Sequence, residues 1–293
     1  MDMAKLLKAM VKFNASDLHL QVASPPRLRV DGHVMPLESA ALTAADLVQL
    51  FEDIADRRDR EQLQNERSAD FSHQADGLAR FRVNAYYQSG TIAMTLRQIP
   101  LDIPALDSLN LPKSVQDIAL AERGLVLVTG TTGSGKSTTL AGIIDRLNQT
   151  RPVRIITIED PVEFVYTSTK GLVAQRQVGH DSLDFGKALR GALRQDPDII
   201  LVGELRDVET MRTALQAADT GHMVFSTMHT ANASQTIQRL IAMFPAEEAA
   251  VLLMQLAANL EAVMCERLAR RRGGGRMPVC EILRPCPPGR KAL

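Results

Sequence analysis

The sequence has no tryptophan, and aromatic residues make up only 4% of its 293 residues. Any core must therefore be built from aliphatic side chains, and a hydrophobic content of 45% supplies enough of them. Cysteine is scarce. Cys265, Cys280 and Cys286 form no C-x-x-C pair, which excludes a four-cysteine zinc site and a disulfide framework. No apolar run is long enough to span a bilayer. The amphipathic segment from Met1 to Phe13 lacks the apolar stretch and small-residue cleavage site of a secretory signal. Net charge is missing too: Lys plus Arg and Asp plus Glu each number 34, a balance that gives no sign of nucleic-acid binding. These absences leave a reduced, cytoplasmic protein, and the length suits two domains of ordinary size.

What is present centres on Gly130-Thr131-Thr132-Gly133-Ser134-Gly135-Lys136-Ser137, followed by Thr138, which fits the phosphate-loop pattern G-x-x-x-x-G-K-[ST]. The run before it, Gly124 to Thr129, is apolar and β-branched like a buried parallel strand. The run after it, Thr138 to Asn148, spaces its apolar residues for a helix. In that context the glycines turn backbone N–H groups inward around phosphates, and the helix directs its positive end at the same charge. Lys136 is the residue expected to reach the β- and γ-phosphates, and Ser137 the one to ligate Mg²⁺.

Upstream, Ala4 to Phe13 reads as a helix and Asp17 to Val22 as a half-buried strand. Arg27 to Val30 and His33 to Met35 form a hairpin across Asp31-Gly32. Thr43 is placed to cap a helix running to about Asn65, with Asp46 in the capping-box position. Ala79 to Tyr87 and Thr91 to Ile99 alternate as strands joined through Ser89-Gly90. Residues 1–99 are thus expected to form an α+β domain. A linker follows over residues 100–112, where three prolines favour extended backbone. From residue 113 to 283 strands and helices alternate, which predicts a parallel sheet covered by helices. In that stretch Glu247 to Ala269 reads as one long helix, with Leu252, Leu253, Leu256, Leu260 and Val263 on one face, and Pro278 to Leu283 as a last strand. Residues 284–293 read as a disordered tail.

Two acidic segments accompany the loop. Asp198 to Glu204 is an apolar strand ending in a carboxylate, suited to holding Mg²⁺ or polarising an attacking water. Ile155 to Phe164 sets Glu159, Asp160 and Glu163 beyond a second apolar strand, where open parallel sheets bind ligands. Glu163 and Glu204 are the two candidates for base and metal work, and spacing does not assign one role to each. His222 and His229 bracket a third strand, too far apart for one mononuclear metal site; a phosphate sensor or subunit contact suits them better.

Taken together, the phosphate loop, the acidic box Thr157 to Phe164, the strand box Asp198 to Glu204 and the histidine box Gly221 to Ala231 resemble the ATPase superfamily of type II secretion, type IV secretion and type IV pili. The runs Ala15-Ser16-Asp17-Leu18-His19-Leu20, Arg80-Phe81-Arg82-Val83-Asn84, Arg194-Gln195-Asp196-Pro197-Asp198 and Phe244-Pro245-Ala246-Glu247-Glu248 are similar to its pilus-retraction branch.

That resemblance implies a PAS-like N-terminal domain, a RecA-like ATPase domain, and a homo-hexamer that hydrolyses ATP with Mg²⁺. It matches Glu163 to the catalytic glutamate of the acidic box, Glu204 to the glutamate of the strand box, and His222 and His229 to the histidine box. It makes Arg80, Arg82 and Arg97 candidates for arginines that reach a nucleotide at a domain or subunit junction, a task suited to a fixed charge with a phosphate-gripping fork. It also implies partners: a pilus platform protein of the inner membrane, at whose cytoplasmic face the motor would sit, and a paralogous pilus ATPase. A four-cysteine module, usual in assembly and secretion ATPases, is lacking, which favours the retraction branch. After Leu283 the chain runs Arg284-Pro285-Cys286-Pro287 where that branch has an Ala-Ile-Arg-Asn-Leu-Ile-Arg-Glu-like motif. A related secretion or assembly ATPase, or a nucleotide-binding regulatory paralogue, is the alternative.

Overall fold

The computed structural model describes residues 2–99, 102–272 and 275–285. The chain divides into two compact units, Met1–Asp102 and Ile103–Leu293.

In the first unit, α1 (Met3–Lys12) is followed by β1 (Asp17–Leu20), β2 (Arg27–Val30) and β3 (His33–Pro36). Then come α2 (Ala44–Glu52), α3 (Arg57–Glu66), β4 (Ser68–Ala75), β5 (Ala79–Gln88) and β6 (Thr91–Ile99). The strands form an antiparallel sheet in the order β3-β2-β1-β6-β5-β4. Alternation along the strands gives the sheet two faces. Leu18, Phe81, Val83 and Leu96 are fully buried and join Leu7 and Met10 of α1, Leu47 and Leu50 of α2 and Leu63 of α3 in one mainly aliphatic core.

Thr43 caps α2 through the expected box with Asp46. The helix expected to run to Asn65 is instead two helices. Asp56 starts the second with its own capping box, its side chain accepting from the Asp59 N–H and the Asp59 side chain accepting from the Asp56 N–H. That reciprocal pair satisfies N–H groups at a helix start, which is why the chain re-nucleates there. β4 was not legible in the sequence: as an edge strand it buries only Ala69 and Phe71 fully, leaving a weak alternation.

The second unit begins within the segment read as linker, with Pro104 and Pro112; residues 100–101 of that segment lie outside the described residues. In that segment a short 3-10 turn, Leu106–Leu109, buries Leu106 in the core of the second unit, close against Gly142. Then follow α4 (Ser114–Ala119), β7 (Gly124–Thr129), α5 (Lys136–Thr150), β8 (Arg154–Glu159), β9 (Leu172–Gln177), α6 (Phe185–Ala192), β10 (Ile199–Val202), α7 (Val208–Asp219), β11 (Met223–Met228), α8 (Ala233–Met243), α9 (Ala249–Asn259), β12 (Leu260–Arg270) and β13 (Arg276–Leu283). The sheet order is β13-β12-β7-β11-β10-β8-β9, parallel throughout except for the antiparallel pairing of β13 with β12. The central strands are buried on both faces: Leu125 and Leu127 pack toward α6, α7, α8 and α9, while Val126 and Val128 pack toward α4 and α5. This is an α/β sandwich of the expected class, following an α+β unit.

One long expected element is corrected. Glu247 to Ala269 is not a single helix: α9 ends at Asn259 and the chain continues as β12 beside β7. Leu260 and Val263 satisfy helical spacing as well as they satisfy a strand. The run Ala262-Val263-Met264-Cys265 is buried on both faces, however, and only a central strand accommodates that. Of the Gly273-Gly274-Gly275 loop and the proline-rich tail, residues 273–274 and 286–293 lie outside the described residues.

Candidate active site

β7 delivers the chain to the phosphate loop at its carboxyl end, and α5 begins at Lys136. Gly130 and Gly135 have φ of +144° and +110°, a region that only glycine occupies without strain. A Cβ on Gly130 would stand 2.4 Å from the Glu266 carbonyl oxygen and 2.5 Å from Ser134 Oγ. Ser134 is buried, and its hydroxyl has no hydrogen-bond partner. No side chain caps the amino terminus of α5, which leaves N–H groups of its first turn available to a ligand. These features fit a cradle for phosphate oxygens.

Lys136 is 8% exposed and its ammonium donates to the carbonyls of Gly130 and Thr131, each at 3.0 Å. Burial lowers its pKa, opposed by the charges of Glu204, Glu266 and Glu163, in that order of influence. Three carboxylates therefore converge electrostatically on one lysine. Ser137, Thr131, Thr132 and Gly133 are exposed on the loop, while Gly135 and Thr138 are half-buried.

Glu204 follows β10 by two residues. The ends of β8, β10 and β11 are laced together around it: Gly203 N–H donates to Ile158 (2.7 Å), Thr227 Oγ1 to Gly203 (2.6 Å) and Ser226 Oγ to Val202 (2.6 Å). The Glu204 carboxylate accepts from Arg206 Nε at 2.8 Å and lies 3.7 Å from His229 Nε2. Arg206 also lies 3.9 Å from Asp160. Among the acids at the end of β8 and just beyond it, Glu159, the last residue of the strand, is engaged in the fold, accepting from Thr157 Oγ1 (2.6 Å) and Gln175 Nε2 (3.1 Å), and burial raises its pKa. Glu163, half-buried, is the acid of that box that acts on Lys136.

The two histidines part company. His229 stands at the carboxyl end of β11 with Glu204. His222 stands at the amino end, its Nδ1 at 2.9 Å from the Ala217 carbonyl. Six strand residues separate them, roughly 20 Å at strand rise, so within one chain His222 is not brought to the phosphate loop.

Arg80, Arg82 and Arg97 belong to the first unit, on strands β5 and β6. Arg97 lies opposite Arg82 in one register and opposite Asp17 in the other. Its Nε donates to Asp17 at 2.8 Å, while Arg29 Nε lies 3.7 Å from the other oxygen. Arg82 lies 3.9 Å from Asp70. Burial of Asp17 would raise its pKa, but the Ser16 hydroxyl and Arg97 outweigh it and hold the carboxyl below its ordinary value. Arg80 is half-buried opposite Ile99.

Two residues were missed in the sequence. Arg206 could have been found, since it follows the strand-box glutamate by two. Glu266 could not, because the segment carrying it reads as helix. In β12 it is 1% exposed and lies beside the phosphate loop, and neither carboxylate oxygen has a hydrogen-bond partner. Burial pushes its pKa up to about 7, against the lowering influence of Thr139 and Lys136.

Comparison with known proteins identifies the family. Residues 1–273 match the family model of the type II/IV secretion system protein. The chain is 47% identical over 283 residues to the type IV pilus retraction ATPase PilT of Pseudomonas aeruginosa, covering 97% of this chain and 82% of that protein. It is 39% identical to the type IV pilus ATPase PilU of the same organism, covering 97% and 74%. The fold superposes on the crystal structure of the pilus retraction motor PilT with bound ADP at a TM-score of 0.96, with 42% identity over 99% of this chain and 85% of that one.

Proposed function

The chain belongs to the type II/IV secretion system protein family, and from that premise we propose that it is a Mg²⁺-dependent ATPase acting as a homo-hexameric motor for type IV pilus retraction, and hence twitching motility. The observation that carries the reading is the buried Lys136, held by loop carbonyls and surrounded by Glu204, Glu163 and Glu266. The likeness to retraction ATPases over nearly the whole chain supports the choice of branch.

In this reading Gly130 to Gly135 and the α5 amino terminus bind the phosphates through backbone N–H groups. Lys136 exchanges its two carbonyl partners for phosphate oxygens. Ser137 and Glu204 are the residues that hold Mg²⁺, which when bound neutralises phosphate charge. Glu163 orients the attacking water and accepts its proton. Arg206 fixes the Glu204 carboxylate from one side, and His229 stands on the other as a sensor of the occupied site. Arg80, Arg82 and Arg97 supply positive charge to a nucleotide from a neighbouring domain or subunit, and His222 serves a subunit contact. The partners are the platform protein of the pilus base at the inner membrane and a paralogous ATPase. No single helix among the described residues is long and apolar enough to cross a membrane.

The test is MgATP turnover against protein concentration, with molecular mass determined in the same samples and Lys136→Ala as the inactive control. Turnover that rises steeply as a hexamer forms supports sites completed between subunits. Hexamers without turnover would favour a regulatory paralogue. Turnover by a monomer would refute the shared site.

A further inference from the structure

The Glu266 carboxyl is the one ionisable group at the loop for which the reaction above has no use. β12 runs parallel to β7, pairing Cys265 with Thr129, so that Glu266 emerges beside Gly130 where the loop begins. Its backbone oxygen is the atom a Gly130 Cβ would strike, and its Oε2 lies 3.5 Å from where a Gly135 Cβ would be. The carboxyl is therefore pressed against the loop at the first turn of α5. There it feels Lys136 and the positive end of the helix, the same attractions that the loop offers a phosphate.

We propose that Glu266 is a positioning residue for Lys136: a buried anion that competes with nucleotide phosphates for that lysine, so that nucleotide binding is accompanied by uptake of a proton at the Glu266 carboxyl.

The electrostatics require such a coupling. With the loop empty, an ionised Glu266 is partly compensated by Lys136. When phosphates draw the ammonium to themselves, the carboxylate is left buried, with only the Thr139 hydroxyl to favour its charged form, and near new negative charge. Desolvation and like charge both favour the neutral acid. Apart from the Thr139 hydroxyl, the described residues of the flanking elements offer no other compensation. β7 and α9 contain no ionisable side chain, and Arg239, the one cation of α8, donates to the His229 carbonyl. Cys280, opposite Glu266 on β13, is pushed up to about 11 by burial and by Glu266, and stays a neutral thiol. Glu281 of β13 accepts from the Ala233 N–H, and Arg267, next in β12, donates to the Ala231 carbonyl. Glu204 and Glu163 also act on Lys136 and add negative charge.

This inference rests on the nucleotide reading of the loop, and one experiment separates the two. MgADP binding to the full chain is measured by calorimetry from about pH 6 to about pH 8.5, in buffers of different ionisation enthalpy, for the parent and Glu266→Gln. The parent should take up a substantial fraction of one proton near neutral pH. Its affinity should fall toward a limit of about tenfold per pH unit as pH rises. Glu266→Gln should bind more tightly at the alkaline end, with a flatter profile and the uptake gone. Ionisation of ADP itself releases a proton on binding, so the sign of the exchange identifies the source. Binding by the parent without proton uptake, or uptake unchanged in Glu266→Gln, overturns the inference and leaves the nucleotide reading intact. No ADP binding by the parent at any pH overturns both. The parent measurement decides the matter even if the variant is poorly folded.

Discussion

Replacing Gly130 by alanine tests how closely β12 approaches the phosphate loop. The new Cβ would lie 2.4 Å from the Glu266 carbonyl oxygen, 2.5 Å from Ser134 Oγ and 3.2 Å from Ser134 Cβ, with φ at +144°. The first obstacle is main chain of a central strand, and the second belongs to a buried side chain, so neither moves freely. Strain at this φ costs about 1–3 kcal/mol. Forcing extra volume into a packed site costs about 1–3 kcal/mol more. A loss of about 2–6 kcal/mol is therefore expected. Gly133→Ala is the internal control: its φ is +76° and no atom lies within 4 Å of the added carbon, so only a left-handed penalty of about 1–2 kcal/mol applies. The assay is thermal and guanidinium unfolding of both variants without nucleotide, alongside ADP binding. For a unit of this size, a difference of about 2–3 kcal/mol separates the melting temperatures by roughly 5–10 °C. Equal melting of the two variants, with ADP binding preserved in Gly130→Ala, would show that the strand does not press on the loop and would remove the geometric basis of the Glu266 inference.

Glu204→Gln keeps shape and loses charge; turnover should fall by about a hundredfold or more while ADP binding persists, and parent-like turnover would refute the role given to the strand box. Asp17→Asn should destabilise the first unit by about 1–2 kcal/mol, since Asp17 is buried while its partner Arg97 is exposed and Arg29 half-buried. Because the folded carboxyl titrates below its ordinary 3.8, its stabilisation is fully present above that pH and is lost as pH falls through the lowered value. Melting of the parent should therefore show an acid-side decline that Asp17→Asn lacks, and identical acid profiles would contradict the pairing.

Much of the site was legible because its chemistry is local. A phosphate loop needs glycines at fixed offsets between a strand and a helix, and Gly130 to Ser137 display that requirement in eight consecutive residues. Glu204 and Glu163 were legible for a similar reason: an acid just past an apolar β-branched run stands at the carboxyl end of a strand, where a parallel sheet gathers ligands. The capping box at Thr43 and the Asp31-Gly32 hairpin are likewise decided within a few residues.

What escaped is non-local. His222 and His229 look equivalent along the chain, yet β11 runs between them and places them at its opposite ends. Leu260 to Cys265 carries an apolar pattern that a helix and a buried strand share. Only pairing with β7 on one side and β13 on the other decides between them.

That decision carries Glu266 with it. As part of a helix it would be one more surface acid; as part of β12 it is sealed beside Lys136, where a carboxylate is costly to ionise. The sequence alone therefore determined the phosphate loop, its flanking strand and helix, and the acids that follow the strands, because backbone geometry expresses those choices within a few residues. The tertiary structure alone decided which acids converge on Lys136 and which of them is buried without a partner, because burial and charge proximity are set by strands that meet from distant parts of the chain.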